Sequence, residues 1–177
     1  MIPFKILPGL PPYGPCALPF PENGRGSFSE GLVVQFFPSS ENSWIGNFQR
    51  GFRAPDTVLE HPDGRHIIVI AGGEGYIINP ETGKQIAQLS HIMYAFAVSE
   101  LGAIVLGDDV RFESFRAEGF WWQSERISWD GFRNIGVSGT TLTGESYSAP
   151  DQAWSPFSLD LTSGERIGGA YRSVGFG

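Results

Sequence analysis

The chain has 177 residues, enough for one domain with a hydrophobic core but short for two. Its low charged fraction of 18%, together with 24 glycines and 13 prolines, predicts strands and turns rather than helices. The net charge of −7 argues against nonspecific binding to nucleic acid or to an anionic membrane, which needs a basic surface, and leaves a basic protein partner open.

Cys16 is the one cysteine, so no internal disulfide is expected. No apolar run reaches the roughly 18 residues of a membrane span. The N-terminus is apolar but interrupted by prolines, and it lacks the continuous core of a signal peptide. We therefore expect a cytoplasmic protein without membrane association.

The N-terminal segment is rich in proline, with seven prolines in residues 1–21. Proline lacks a backbone donor, which excludes a regular helix and disfavours a central strand. Phe4 and Ile6 nevertheless make the segment too apolar for a disordered tail. We predict that residues 1–30 form an arm and loop packed on the body, and that residues 31–177 form a single all-β domain.

A faint internal repeat runs through the rest of the chain. A glycine opens each of four similar stretches, at Gly31, Gly64, Gly102 and Gly139, with offsets of 33, 38 and 37 residues. Such periods indicate stacked or radially arranged supersecondary units. Strands are predicted at residues 32–37, 44–49, 57–60, 66–71, 76–78, 84–89, 93–98, 103–106, 111–115, 120–126, 132–137, 141–145, 153–159 and 165–171.

Several predicted strands are continuous apolar runs, for example residues 67–70 and 104–106. Such runs indicate burial on both faces, which is typical of sheets packed between other sheets. The pattern predicts an all-β, mostly antiparallel fold of four quasi-repeats in a small propeller-like arrangement. A β-sandwich or a barrel built from the same hairpins is the alternative.

One turn occurs in two copies, from Asn79 to Gly83 and from Asp160 to Gly164. Both copies read Asn or Asp, two further residues, Thr or Ser, and Gly. The first side chain is expected to accept hydrogen bonds from backbone donors two or three residues on, and the glycine to take a positive φ. A degraded third copy has residues 118–119 at the turn position.

This turn resembles the last hairpin of a quinoprotein-type β-propeller blade. From this resemblance we expect blade geometry, and we carry over no cofactor and no active site. In that family a docking tryptophan is expected after the turn, whereas Ala87 and Gly168 stand near its place here.

Three histidines are the candidate metal ligands: His61, His66 and His91. His61 and His66 flank a turn, where they would face each other, with Glu60 or His91 as a third zinc ligand. Because histidine pairs beside turns arise easily by chance, we expect two half-exposed histidines and no metal site.

No nucleophile, paired-carboxylate or phosphate-loop motif stands out, so no catalytic residue is assigned. Trp129 and Trp154 lie beside turns, where loops carry binding side chains, and each neighbours an acidic residue, Asp130 and Asp151. These four residues form the predicted binding site.

The expected function is non-enzymatic binding of another protein, as in an inhibitor or an immunity-type protein. One alternative is an enzyme or carbohydrate-binding domain with a cleft of tryptophans and carboxylates. A second alternative is a structural subunit of an oligomeric ring, which leaves a homo-oligomer open.

Overall fold

A computed structural model describes residues 3–22, 29–39, 42–52 and 55–172. Within these ranges the chain forms sixteen strands and one short 3-10 helix, Ser99–Leu101, and the strands pair into four four-stranded sheets. The predicted all-β, mostly antiparallel fold is confirmed, and the four repeated sheets fit a propeller-like arrangement. No helix among the described residues is long and apolar enough to cross a membrane.

The first sheet takes both of its edges from the proline-rich segment. Its strand order is β1-β3-β4-β2, with β1 antiparallel to β3 and β2 parallel to β4. An edge strand tolerates proline because one side of its backbone needs no ladder partner. The division into residues 1–30 and 31–177 stays a prediction. The strands are β1 (Phe4–Leu7), β2 (Leu18–Phe20), β3 (Leu32–Phe36) and β4 (Trp44–Phe48).

The other three sheets are antiparallel meanders of consecutive strands. The second contains β5 (Thr57–Glu60), β6 (Ile67–Ala71), β7 (Glu74–Asn79) and β8 (Lys84–Leu89). The third contains β9 (Tyr94–Val98), β10 (Ala103–Gly107), β11 (Phe112–Arg116) and β12 (Gly119–Gln123). The fourth contains β13 (Phe132–Ser138), β14 (Thr141–Ser148), β15 (Ala153–Asp160) and β16 (Arg166–Gly168).

The glycine repeat marks the same place in every sheet. Each repeat glycine lies shortly before a strand that is second in the spatial order of its sheet. The glycines are Gly31, Gly64, Gly102 and Gly139, and the strands are β3, β6, β10 and β14. The repeat in the sequence is therefore a repeat of whole four-stranded sheets.

The chain divides into two compact units, residues 1–92 and 93–177, and each has its own core. The core of the first unit consists of buried side chains from the first and second sheets: Phe20, Leu32, Val34, Phe36, Phe48, Ile67, Val69, Ala71, Tyr76 and Ile78. In the second unit, the core consists of Val98, Val105, Phe112, Trp122, Ile127, Phe132, Leu142, Phe157, Leu159 and Leu161.

The two predicted turns have equivalent geometry. Asn79 Oδ1 accepts the N–H groups of Glu81 (3.0 Å) and Thr82 (3.2 Å), and Gly83 has a φ of +68°. Asp160 Oδ1 accepts the Thr162 N–H (2.8 Å), and Gly164 has a φ of +78°. Both turns join the third and fourth strands of their sheets, as the repeat predicts.

A tryptophan does reach each turn, but it comes from the preceding sheet. The Trp44 indole on β4 donates to the Pro80 carbonyl (2.8 Å), and the Trp122 indole on β12 donates to the Leu161 carbonyl (3.0 Å). Each turn therefore has a tryptophan partner, which lies before the turn in the chain and not after it, where the resemblance placed one.

Candidate functional site

The four predicted binding residues lie at one end of the fourth sheet. Trp129 and Asp130 precede β13, Asp151 lies in the turn after β14, and Trp154 is near the start of β15. Neighbouring strands in this sheet are antiparallel, so the start of β13, the end of β14 and the start of β15 lie at the same end of the sheet. Tyr147 connects them, since its carbonyl accepts the Trp129 N–H (3.0 Å) and its register partner is Trp154.

Trp154 is half-buried in a stack of side chains. Its ring packs on Tyr147 at a centroid distance of 5.0 Å, and the Arg133 guanidinium lies 4.4 Å from its centroid. Arg133 donates two hydrogen bonds to the Glu145 carboxylate (2.9 and 3.1 Å), and Asn134 donates a third (2.7 Å). These hydrogen bonds, led by those of Arg133, lower the pKa of Glu145.

Sequence reasoning missed Arg133, Glu145 and Tyr147. Glu145 and Tyr147 are two residues apart on β14, so they share a sheet face with Thr143 and Thr141. That period of two was visible in the sequence. The pairing with Arg133 was not, because it depends on the register of β13.

Trp129 makes a separate stack. Its ring packs on Tyr171 at 5.1 Å, and the Arg126 guanidinium lies 5.3 Å from the Trp129 centroid and 4.7 Å from that of Tyr171. Arg126 also donates to the carbonyls of Ser128 (2.9 Å) and Trp129 (3.0 Å). Trp129 is therefore fixed by contacts within the chain, while the adjacent Asp130 is exposed.

Asp151 is exposed and belongs to a tight turn. Its Oδ2 accepts the Ser148 hydroxyl (2.6 Å), and its N–H donates to Ser148 Oγ (3.3 Å). The carboxylate thus stabilises the β14–β15 turn and places a negative charge beside Trp154.

The fourth sheet has one buried face and one face open to solvent. The central strands β6 and β10 are buried along their whole length, whereas on β14 exposed or half-buried residues alternate with buried ones except at Gly144. Alternation of this kind means that one face of the strand is not covered. We call the uncovered side the outer face; it carries Arg133, Thr141, Thr143, Glu145, Tyr147, Trp154, Pro156, Ser158 and Asp160.

A polar cavity of about 520 Å³ lies at the opposite end of this sheet from Trp154. Hydrogen bonds from the Thr162 hydroxyl and N–H lower the pKa of Asp160, so this carboxylate is unsuited to donate a proton near neutral pH. The tryptophans and this cavity therefore lie at different ends of the sheet. The lining residues are Thr140, Thr141, Ser158, Asp160, Thr162, Glu165, Arg166 and Ile167.

The hairpin between β5 and β6 brings His61 and His66 together with Asp63. Asp63 Oδ2 lies 2.6 Å from His66 Nδ1 and 3.1 Å from His61 Nδ1. Glu60 and His91, considered as third ligands from the sequence, are not in this group. Asp63 was missed, although its place between the two histidines was visible in the sequence.

The Asp63 carboxylate is held strongly in its ionised form. Burial alone raises the pKa of Asp63, but the hydrogen bonds from the Arg65 N–H and from the ring and N–H of His66, together with the nearby His61, lower it well below its usual range. The hairpin therefore presents a charged oxygen between two imidazoles.

No protein-family model matches the chain, and no curated protein matches it. Among solved structures, it is similar to a crystal structure of the eukaryotic initiation factor, with 12% identity, a TM-score of 0.43, and coverage of 78% of this chain and 39% of that one. It is also similar to Kuenenia stuttgartiensis hydrazine synthase, with 11% identity, a TM-score of 0.32, and coverage of 66% and 49%. The chain spans less than half the length of each.

Proposed function

We propose that the chain is a non-enzymatic protein-binding module, of the inhibitor or immunity type, whose binding surface is the outer face of the fourth sheet around Trp154. The observation that carries this proposal is the contrast in burial between β14 and the fully buried β6 and β10. The uncovered face presents a stack of Trp154, Tyr147 and Arg133. Tryptophan, tyrosine and arginine are the residues enriched among interface hot spots.

The proposed partner is a protein with basic side chains on its contact surface. Glu145 and Asp160 lie on the outer face, and Asp151 lies beside it. Arg133 and Glu145 are paired with each other, so the net negative charge of this surface comes from Asp160 and Asp151. The net charge of −7 favours the same kind of partner, since complementary charge steers association.

A second copy of this chain is a poorer occupant of the outer face. Pairing two copies through this face would bring together two surfaces of the same net negative charge, and like charges at an interface are costly. We also propose that the partner is met in the cytoplasm, on the ground of the single cysteine, Cys16.

Photo-crosslinking in the native host tests the surface. A photoreactive residue replaces Thr143, which is exposed on the outer face, or Gln88, which is exposed on β8 and serves as the matched control. We expect one discrete adduct with a basic protein from position 143 and none from position 88. Equal adducts from both positions would contradict the proposal, and an adduct with a second copy would support the ring-subunit alternative instead.

Calorimetry with the purified partner then tests the stack. Trp154→Ala is expected to weaken binding at least about thirtyfold, because truncated hot-spot residues typically cost 2 kcal/mol or more. Ile86→Ala removes a side chain that is 54% exposed on β8 and should leave the affinity unchanged. Unchanged affinity in Trp154→Ala would show that Trp154 does not contribute to partner binding.

A carbohydrate ligand is the second candidate function, favoured by the hydroxyl and carboxylate groups that line the polar cavity. Titration of the purified chain with a panel of oligosaccharides tests it. Saturable binding that is lost in Asp160→Asn but kept in Trp154→Ala would favour this function over protein binding. Oligosaccharide binding that is unchanged in Asp160→Asn would contradict a carbohydrate site in this cavity.

A further inference from the structure

We propose that His61, Asp63 and His66 form a binding site for a divalent transition-metal ion such as Zn²⁺ at the tip of the β5–β6 hairpin. The three side chains offer two imidazole nitrogens and one carboxylate oxygen, all within 4.8 Å of one another. This site lies in the first unit and is independent of the outer face of the fourth sheet.

The hairpin backbone holds the three side chains in place. The His61 N–H donates to the His66 carbonyl (2.9 Å), and the Gly64 N–H donates to the His61 carbonyl (3.0 Å). Asp63 Oδ1 accepts the N–H groups of Arg65 (2.8 Å) and His66 (3.0 Å). Because Oδ1 is committed to the backbone, Oδ2 is the oxygen left for a ligand.

The contacts around Oδ2 call for a positive charge. Asp63 Oδ2 lies 2.6 Å from His66 Nδ1 and 3.1 Å from His61 Nδ1. Electronegative atoms this close together need a proton or a metal ion between them. In neutral His61 the Nδ1 lone pair accepts the Asp63 N–H (3.3 Å), a long hydrogen bond that a bound metal ion would replace. The arrangement therefore suits a cation.

The distances allow a metal ion after a small adjustment. Zinc bonds of about 2.0–2.2 Å to nitrogen and oxygen place tetrahedral donor atoms roughly 3.3 Å apart. The His61 contact is already close to this value, and the His66 contact of 2.6 Å must lengthen by less than about 1 Å. The two imidazole nitrogens lie within 4.8 Å of each other, so they must approach by up to about 1.5 Å.

The donor set selects the class of ion. Two imidazoles and a carboxylate suit zinc and its neighbours, whereas Mg²⁺ and Ca²⁺ prefer oxygen ligands alone. The side chains of His61, Asp63 and His66 are 13%, 20% and 22% exposed, so an ion reaches them from solvent. Three protein ligands leave a fourth zinc position for water.

The test is metal titration of the purified, chelator-treated chain by calorimetry, with Zn²⁺ and with Mg²⁺. We expect one equivalent of Zn²⁺ to bind and Mg²⁺ to bind far more weakly. His61→Ala and His66→Ala should each weaken Zn²⁺ binding by more than about tenfold. His91→Ala removes the remaining, exposed histidine and is the matched control, which should bind as the wild type does.

Visible absorption with Co²⁺ gives a readout on the unaltered chain, so a variant that fails to fold does not decide the outcome. Intense d–d bands of a tetrahedral ion, abolished by one equivalent of Zn²⁺, support the site. Weak octahedral bands, Zn²⁺ binding that survives in both histidine variants, or equal losses in His91→Ala would overturn it. In those cases Asp63 only stabilises the turn.

Discussion

The indole ring of Trp122 lies directly against Gly164. A Cβ atom on this glycine would be 2.7 Å from Cε3 of the ring, and the same indole donates its N–H to the Leu161 carbonyl at 3.0 Å. Trp122 is 7% exposed and belongs to the core of the second unit. The turn between β15 and β16 is thus held by a side chain from β12.

Trp44 and Gly83 repeat this relationship in the first unit with a looser fit. A Cβ atom on Gly83 would be 3.7 Å from Cε2 of Trp44 and 3.1 Å from Cδ1 of Leu18. In both turns the side chain of the first residue accepts the N–H two residues on, and the backbone carbonyl of the same residue accepts the glycine N–H. The turns differ in how closely a tryptophan covers the glycine. Their substitutions should therefore differ in cost.

Gly164→Ala should destabilise the chain more than Gly83→Ala does. A left-handed conformation costs a residue with a Cβ about 1–2 kcal/mol, and Gly164→Ala adds a clash with the buried Trp122 ring. Gly64→Ala is the control, since Gly64 has the same φ as Gly83, +68°, with nothing within 4 Å of its Cβ position. Denaturant unfolding in chelating buffer should rank the losses as Gly64 lowest and Gly164 highest; equal losses at Gly64 and Gly164 would rule out the tryptophan contact.

Trp122→Phe should lower the free energy of unfolding by about 1–3 kcal/mol, because the buried Leu161 carbonyl loses its indole donor. Trp44→Phe should cost less, since Trp44 is only half-buried and water reaches the Pro80 carbonyl more readily. Trp154→Phe should stay within about 0.5 kcal/mol, as expected for a partly exposed side chain. Urea unfolding of the three variants measures this order. A large loss of unfolding free energy in Trp154→Phe would show that Trp154 stabilises the fold.

Phe20→Ala should cost about 3–5 kcal/mol although Phe20 lies in the proline-rich segment. Its ring is 1% exposed and stacks on Phe48 at 4.6 Å. Leu10→Ala, at a residue 42% exposed in the same segment, should change stability by less than about 0.5 kcal/mol. Equal melting temperatures for both variants would mean that the segment does not stabilise the first unit.

The chain should lose stability as the pH rises from 10 toward 12. Burial, and to a lesser extent the charge of Glu74, raises the pKa of Tyr76 from 10.0 to about 12. A group whose pKa is higher in the folded chain contributes full stability below its unfolded pKa and loses that contribution as the pH rises through the folded pKa. Each pKa unit of difference corresponds to about 1.4 kcal/mol.

Tyr76→Phe tests this assignment. The variant should be less stable at pH 8, because the Gln49 carbonyl loses the Tyr76 hydroxyl (2.7 Å), and its stability should fall less steeply above pH 10. Tyr94→Phe is the comparison, since burial also raises the pKa of Tyr94 and this residue lies in the second unit. An alkaline loss unchanged in both variants would assign it to other groups.

Most strands could be predicted because their signals are local. The predicted bounds 57–60 and 84–89 agree with β5 and β8. Each strand adjoins a turn whose residues mark the boundary: the turn at Pro62 and Gly64 follows β5, and Gly83 precedes β8. The predicted strand 165–171 was too long. β16 ends at Gly168, where Gly168 and Gly169 both have positive φ, and the Tyr171 N–H donates to the Ile127 carbonyl outside the sheet.

The candidate site was predicted in part for the same reason. The turns in the sequence identified four residues, and antiparallel strand pairing brings them to one end of the fourth sheet: Trp129, Asp130, Asp151 and Trp154. Arg133 was not identified, because its contact with Trp154 depends on a register between strands that the sequence does not state. Which face of the fourth sheet stays uncovered was likewise not visible.

The sequence by itself determined the strands, the turns and the four-fold repeat, because backbone preference and hydrophobic periodicity act over a few residues. Only the tertiary structure decided which strands became neighbours. It placed the proline-rich segment at both edges of the first sheet, and it brought Trp44 and Trp122 to turns about forty residues further along the chain. These contacts form because burial of apolar surface stabilises close packing between residues that are far apart in the sequence. A pattern of neighbouring residues therefore does not predict them.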